Sequence, residues 1–234
     1  MKYSHLVISL VITASLFNSC KFISYSPALG EAVDRGTFKA DKNLKYREFE
    51  VSDFNAFRTS LPASIEYVKG PAGLSVRGPE NMVDDLIVEL TDDELKVSTE
   101  KNYINVKDLH FTLSSPTLES LSISGSCEFE AASGMSGNSF KLSGNGAIEF
   151  SANGFHYDGD VDMTVNGAAD MDIEGISCAD LSLTVNGAAD CELKGSCAEA
   201  AIKVSGAADV DVYELNAESW KNEVRGAGKI RRKP

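Results

Sequence analysis

The stretch "TVNGAADMDIEG" at 164–175 returns twenty residues later as "TVNGAADCELKG" at 184–195, with Asn-Gly-Ala-Ala-Asp kept letter for letter. Directly after the phrase, Met-Asp-Ile becomes Cys-Glu-Leu, so apolar replaces apolar and acid replaces acid. Aligning outward on the glycine gathers "LSISGSCEFEA" (121–131), "FKLSGNGAIEF" (140–150), "IKVSGAADVDV" (202–212) and "NEVRGAGKIRR" (222–232) around the twin phrases. The anchors are Gly125, Gly144, Gly167, Gly187, Gly206 and Gly226, with steps of 19, 23, 20, 19 and 20. A period near twenty, sustained through almost half the chain, is the mark of a repeat architecture.

Each unit reads as an alternating strand, a small-residue corner, a second alternating strand and a short polar connector. That leaves no room for a helix with its loops. The reading is all-β: a single-stranded parallel β-solenoid with coils of about twenty residues, each paired with its neighbours about 4.8 Å away, so that equivalent positions stack in columns. Ile123, Leu142, Val165, Val185, Val204 and Val224 are expected in one inward column, with Leu121, Phe140, Met163, Leu183 and Ile202 beside them. Phe129, Ile148, Met171, Cys191, Val210 and Ile230 make a third inward column, and Ala131, Phe150, Ile173, Leu193 and Val212 a fourth.

The outward columns carry acid. Glu130, Glu149, Asp172, Glu192 and Asp211 form one ladder; Glu128, Asp170, Asp190 and Asp209 form a second, with a gap at Ala147. Stacked carboxylates repel, and they also offer the oxygens that Ca²⁺ takes. Asp170, Asp172, Asp190, Glu192, Asp209 and Asp211 are therefore the candidate metal ligands, and Ca²⁺ is the one cofactor considered. The competing reading is a solvated acidic face that keeps a flat sheet soluble. Before the glycines stand Ser124, Ser143, Asn166, Asn186 and Ser205, whose side chains can bond up and down a column while the glycine takes positive φ.

Around this repeat the chain changes character. Residues 6–17, "LVISLVITASLF", are an apolar run ending at Ser19-Cys20. The run is too short to span a bilayer and reads as an export signal over 1–19, of the lipoprotein type in which Cys20 is acylated and becomes the first mature residue. Residues 20–43 mix Gly, Pro and charge without a period, as a tether does. From 44 to 228 alternation dominates, with one helical turn at 79–85, and 229–234 form a basic tail. A net charge of −13 removes the electrostatic basis for nucleic-acid binding. In the register above, Cys178 and Cys197 occupy one column on adjacent coils, near enough for a disulfide although their side chains run parallel. Cys127 and Cys191 fall three coils apart, and buried free thiols are the expectation for all four. In the last coil the acids give way to Lys229 and Arg231, as in a cap.

The opening "YREFEVSDFNAFRTSLPASIEYVKG", the segment "GLSVRGPENMVDDLIVELTDDELKVS", the entry "LHFTLSSPTLESLSISGSCEFE" and the repeated "NGAAD" together resemble the autotransporter-adhesin family with a head GIN domain, envelope proteins of Gram-negative bacteria that are often lipoproteins. The resemblance implies a right-handed coil and an exported, outer-membrane location facing the periplasm or the cell surface. It brings no catalytic residues. An enzymatic β-helix needs long groove-walling loops, aromatic platforms and convergent acids. Here the connectors are short and Trp220 stands alone, while His110 is read on a strand and His156 in a loop. The one irregularity of the repeat, "ANGFHYDGD", gathers Phe155, His156, Tyr157 and Asp158 as a candidate ligand loop. The expectation is a non-enzymatic adhesin or structural module. It would be anchored to the membrane at Cys20, with a surface glycan or protein as partner and no nucleic acid. A carbohydrate-active β-helix and a calcium-dependent assembly module are the alternatives.

Overall fold

The computed structural model describes residues 23–25 and 36–233. The export signal expected over 1–19, Cys20 and most of the tether expected over 20–43 lie outside the described residues. Among those described, the chain is all-β apart from one helix, Glu80–Asp84, at the turn expected over 79–85. The strands form one fifteen-stranded sheet and a two-stranded parallel pair, Thr37–Lys39 with Asn102–Ile104.

From residue 120 onward every pairing is parallel. Ser120–Ala131 lies on Phe140–Asn153, which lies on Val161–Val212. The last of these runs through several turns of the ladder and is followed by Leu215–Gly226 and Lys229–Arg232. Each rung bends at its glycine into two arms, because the halves of Ser120–Ala131 pair with different strands: Ala56–Thr59 on one arm and Ala63–Lys69 on the other. A third arm is built from Met135–Gly137 stacked on Phe155–Tyr157, which continues at His156 onto Ser177. The apolar side chains of alternate positions meet inside, and Phe129, Phe150, Ile173, Leu193 and Val212 are completely buried there.

The N-terminal region departs from the parallel coil expected from residue 44. Ile87–Thr91 and Glu94–Ser98 form an antiparallel hairpin, and Gly73–Pro79 runs antiparallel to both His110–Ser115 and Leu44–Phe49. The physical reason is in the turns. Asp92 and Asp93 both take positive φ, 48° and 63°, which is the backbone of a two-residue hairpin. A chain that reverses in two residues cannot come back in parallel. The sheet is therefore mixed, with an antiparallel foot and a parallel stem.

The stem also corrects the register at one coil. Gly125 pairs with Gly146, and Gly146 with Gly167. The anchor in "SGNGA" is thus Gly146, with φ of 120°, and the 19- and 23-residue steps become two of 21. Gly144 occupies the inward place between Ile123 and Val165 that was assigned to Leu142, and Ile148 and Val165 pack around it. Phe150, not Ile148, then stacks with Phe129 and Met171, and Asn145 replaces Ser143 in the corner column.

Residues 229–232, read as the start of a basic tail, form a strand on Asp209–Val212. Phe155, His156 and Tyr157, read as a loop, are a strand of the third arm. Phe155 and Tyr157 point into the core, where Phe140 meets both rings at 5.2 and 5.3 Å and the Tyr157 hydroxyl donates to the Leu118 carbonyl at 2.6 Å.

Candidate functional site

The corrected register joins what the sequence had split. Glu128, Glu149 and Asp170 pair directly, and the stacking of Gly187 on Gly167 and Gly206 on Gly187 carries the column on to Asp190 and Asp209. Five carboxylates therefore form one unbroken rail, with Glu149 where a gap at Ala147 was expected. The break falls in the other column, at Ser151 between Glu130 and Asp172. The parallel ladder sets the spacing within each rail at about 4.8 Å.

Beside the unbroken rail lies a trough of about 910 Å³. Its floor is the stack Ser126, Ala147, Ala168, Ala188 and Ala207, with Cys127, Ile148, Ala169 and Ala189 one residue further along each rung. Glu128, Glu149, Asp170 and Asp190 line it, and residues 106–110 close it toward the foot. The recess has a simple cause. Where neighbouring columns carry long side chains, the Ala-Ala of each "GAAD" projects only a methyl group.

On the opposite side of the corner, the Asn166 amide donates to Asn145 at 3.0 Å and the Asn186 amide donates to Asn166 at 2.9 Å. The glycines between these columns are obligatory. At Gly167, with φ of 134°, a Cβ would overlap the carbonyl oxygen of Gly146.

Both ends of the unbroken rail are partnered. Ser64 donates to Glu128 at 2.9 Å toward the foot, and Lys229 pairs with Asp209 at 2.6 Å in the last rung. In the second column Arg231 pairs with Asp211 at 2.8 Å, and Lys194 bridges Glu192 and Glu174, both at 2.9 Å. The hydrogen bonds that Lys194 donates to these two carboxylates raise its pKa above the ordinary value. The six candidate metal ligands, Asp170, Asp172, Asp190, Glu192, Asp209 and Asp211, lie in these two parallel columns. Among the described residues no three His, Cys, Asp or Glu side chains come together as a metal-sized group.

Of the candidate ligand loop, the structure buries Phe155 and Tyr157 and leaves His156 and Asp158 exposed on the third arm. Burial first, with the nearby Tyr67 and Glu119 side chains adding to it, pushes the Tyr157 phenol well above its ordinary pKa. His110 is exposed at the foot end of the trough, opposite Ser64. The sequence reading does not reach the trough, because the alanines stand there only within a small-residue corner. The available signal was that the paired alanines recur with the acids.

The family described as "Putative auto-transporter adhesin, head GIN domain" matches residues 53–233. The chain belongs to this family. Among solved structures, a putative adhesin from Parabacteroides distasonis superposes on this head GIN domain with a TM-score of 0.69 at 17% identity, over 84% of each chain. A putative adhesin from Bacteroides fragilis gives a TM-score of 0.55 at 20% identity, over 84% of this chain and 100% of that one. At such identities the likeness is one of fold. None of the curated proteins compared matches the chain. What this head GIN domain shares with these structures is its fold, over 84% of its chain.

Proposed function

We propose that this head GIN domain is a non-enzymatic binding module of the bacterial envelope, an adhesin or surface scaffold whose contact surface is the alanine-floored trough with its carboxylate rail. In this reading the parallel rungs wind as right-handed coils. The chain is exported and held at the outer membrane by a lipid on Cys20. The family description supports the adhesive role, and the apolar run ending at Ser19-Cys20 supports the anchor.

One observation carries the assignment of the surface: five carboxylates in register beside a shallow trough. Regularly spaced charge favours a polymeric partner that carries positive groups along its length, and electrostatic complementarity supplies recognition and on-rate more than raw affinity. Partner chemistry of that kind is found in basic peptide segments and in amino-sugar polymers.

The test uses the full chain against an array of basic peptides, amino-sugar oligomers and neutral glycans. Binding is compared for the wild type, an Asp170→Asn/Asp190→Asn variant and Ala188→Trp, which fills the trough from an exposed position. The expected result is binding to cationic probes that both variants weaken at least tenfold, about 1.4 kcal/mol. Retention of full affinity in both variants would place the contact surface elsewhere. Release of shortened oligomers from any glycan would replace binding by carbohydrate cleavage.

A further inference from the structure

Two cysteines of the third arm sit in a relation that the adhesive reading does not use. Gly195 stacks directly on Ile176, where a Cβ would run into the Ile176 backbone. The offset of nineteen residues between these two carries Cys197 onto Cys178 in the next rung. Both are free thiols, side by side in neighbouring rungs. Cys197 is buried and Cys178 half-buried, so an external reagent reaches the pair from the Cys178 side. On the far face Cys197 stacks on Ala217.

We propose that Cys178 and Cys197 form a reversible dithiol–disulfide switch that is oxidised by exchange with an external disulfide. Stacked residues of a parallel ladder hold their Cα atoms about 4.8 Å apart, inside the window of roughly 4.4–6.8 Å that disulfides occupy. The Cβ atoms start near the same separation and must close to about 3.8 Å. The bond therefore forms with strain, which favours a reducible, switching disulfide over a permanent one.

Cys178, the half-buried and more accessible thiol, is the sulfur that opens the exchange. Its thiolate attacks one sulfur of the external disulfide, forming a mixed disulfide and expelling one thiolate. Cys197 gives up its proton and attacks the Cys178 sulfur, expelling the second thiolate. Two protein thiols are oxidised to one disulfide, and the external disulfide is reduced to two thiols. Cys127 and Cys191 lie on other columns three rungs apart and cannot enter this reaction.

The experiment incubates the full chain with glutathione disulfide, blocks the remaining thiols with iodoacetamide and maps the peptides by mass. The expected product is one cross-linked peptide pair containing Cys178 and Cys197, lighter by two hydrogens, while Cys127 and Cys191 are alkylated. Dithiothreitol restores both thiols, and Cys197→Ser leaves a glutathione adduct on Cys178 in place of the cross-link. The proposal is overturned if Cys178 and Cys197 are alkylated to the same extent with and without oxidant. It is equally overturned if the wild type accumulates only glutathione adducts, or if either cysteine pairs with Cys127 or Cys191.

Discussion

At the residue scale, the repeat is enforced by backbone contact. Gly146, Gly167, Gly187 and Gly206 each leave no space above the preceding rung's carbonyl, and their positive φ is closed to other residues at ordinary cost. Gly167→Ala is expected to destabilise by about 2 kcal/mol or more, read as a fall in the urea midpoint at unchanged slope. Asn166 is both donor and acceptor in the amide ladder. Asn166→Ala removes two exposed hydrogen bonds and is expected to cost about 1–2 kcal/mol by the same measurement. Asn166→Ser should recover part of that loss, since Ser124 and Ser205 already hold equivalent places. The "SGNGA" stretch shows what letters alone do not carry. Gly144 and Gly146 are two residues apart, and both fit the alternation. Only the stacked backbone distinguishes the one at positive φ from the one buried between Ile123 and Val165.

At the scale of the element, the arms are held by columns of unlike side chains chosen to fill one space. Phe129 and Phe150 stack at 5.1 Å with planes 8° apart, and Phe140 turns its edge to Phe155. Phe150→Ala would open a cavity between two rungs and is expected to cost about 3–5 kcal/mol, enough to show as a large fall in thermal midpoint. Tyr157→Phe leaves the Leu118 carbonyl without its donor and should cost about 1–3 kcal/mol.

These columns were legible from residue 161 onward, because "TVNGAAD" repeats without slippage and the period of two separates inside from outside. They were misjudged at one coil, where a single misplaced glycine moved Phe150 and Glu149 to neighbouring columns. The foot was legible as alternating strands but not in its direction, since alternation is the same in parallel and antiparallel sheets. Direction there rests on Asp92 and Asp93, whose positive φ does not show in their identity. Phe155 and Tyr157 were hidden for a related reason: a three-residue strand is too short to display a period.

At the scale of the molecule, the chain carries a net charge of −13, and much of it is arranged in two rails. Each neighbouring pair of carboxylates repels by about 1 kcal/mol at most in water, and salt screens this. The thermal midpoint is therefore expected to rise with added NaCl between low and physiological ionic strength. The last rung reverses the sign, with Lys229 on Asp209 and Arg231 on Asp211. A Lys229→Glu/Arg231→Glu variant would extend both rails and should lower the midpoint, most strongly at low salt, with a loss on the order of 1 kcal/mol per site. A variant insensitive to salt would show that the rails do not govern stability.

The rungs measure 21, 21, 20, 19 and 20 residues between stacked glycines, so the stem tolerates small changes in loop length without losing alignment. Each rung also meets only the ones directly above and below. In a gene, duplication of about sixty nucleotides could therefore insert one more storey between existing ones and move the tip outward by about 4.8 Å. The length of the stem could then vary among descendants of such a gene without redesign of either end.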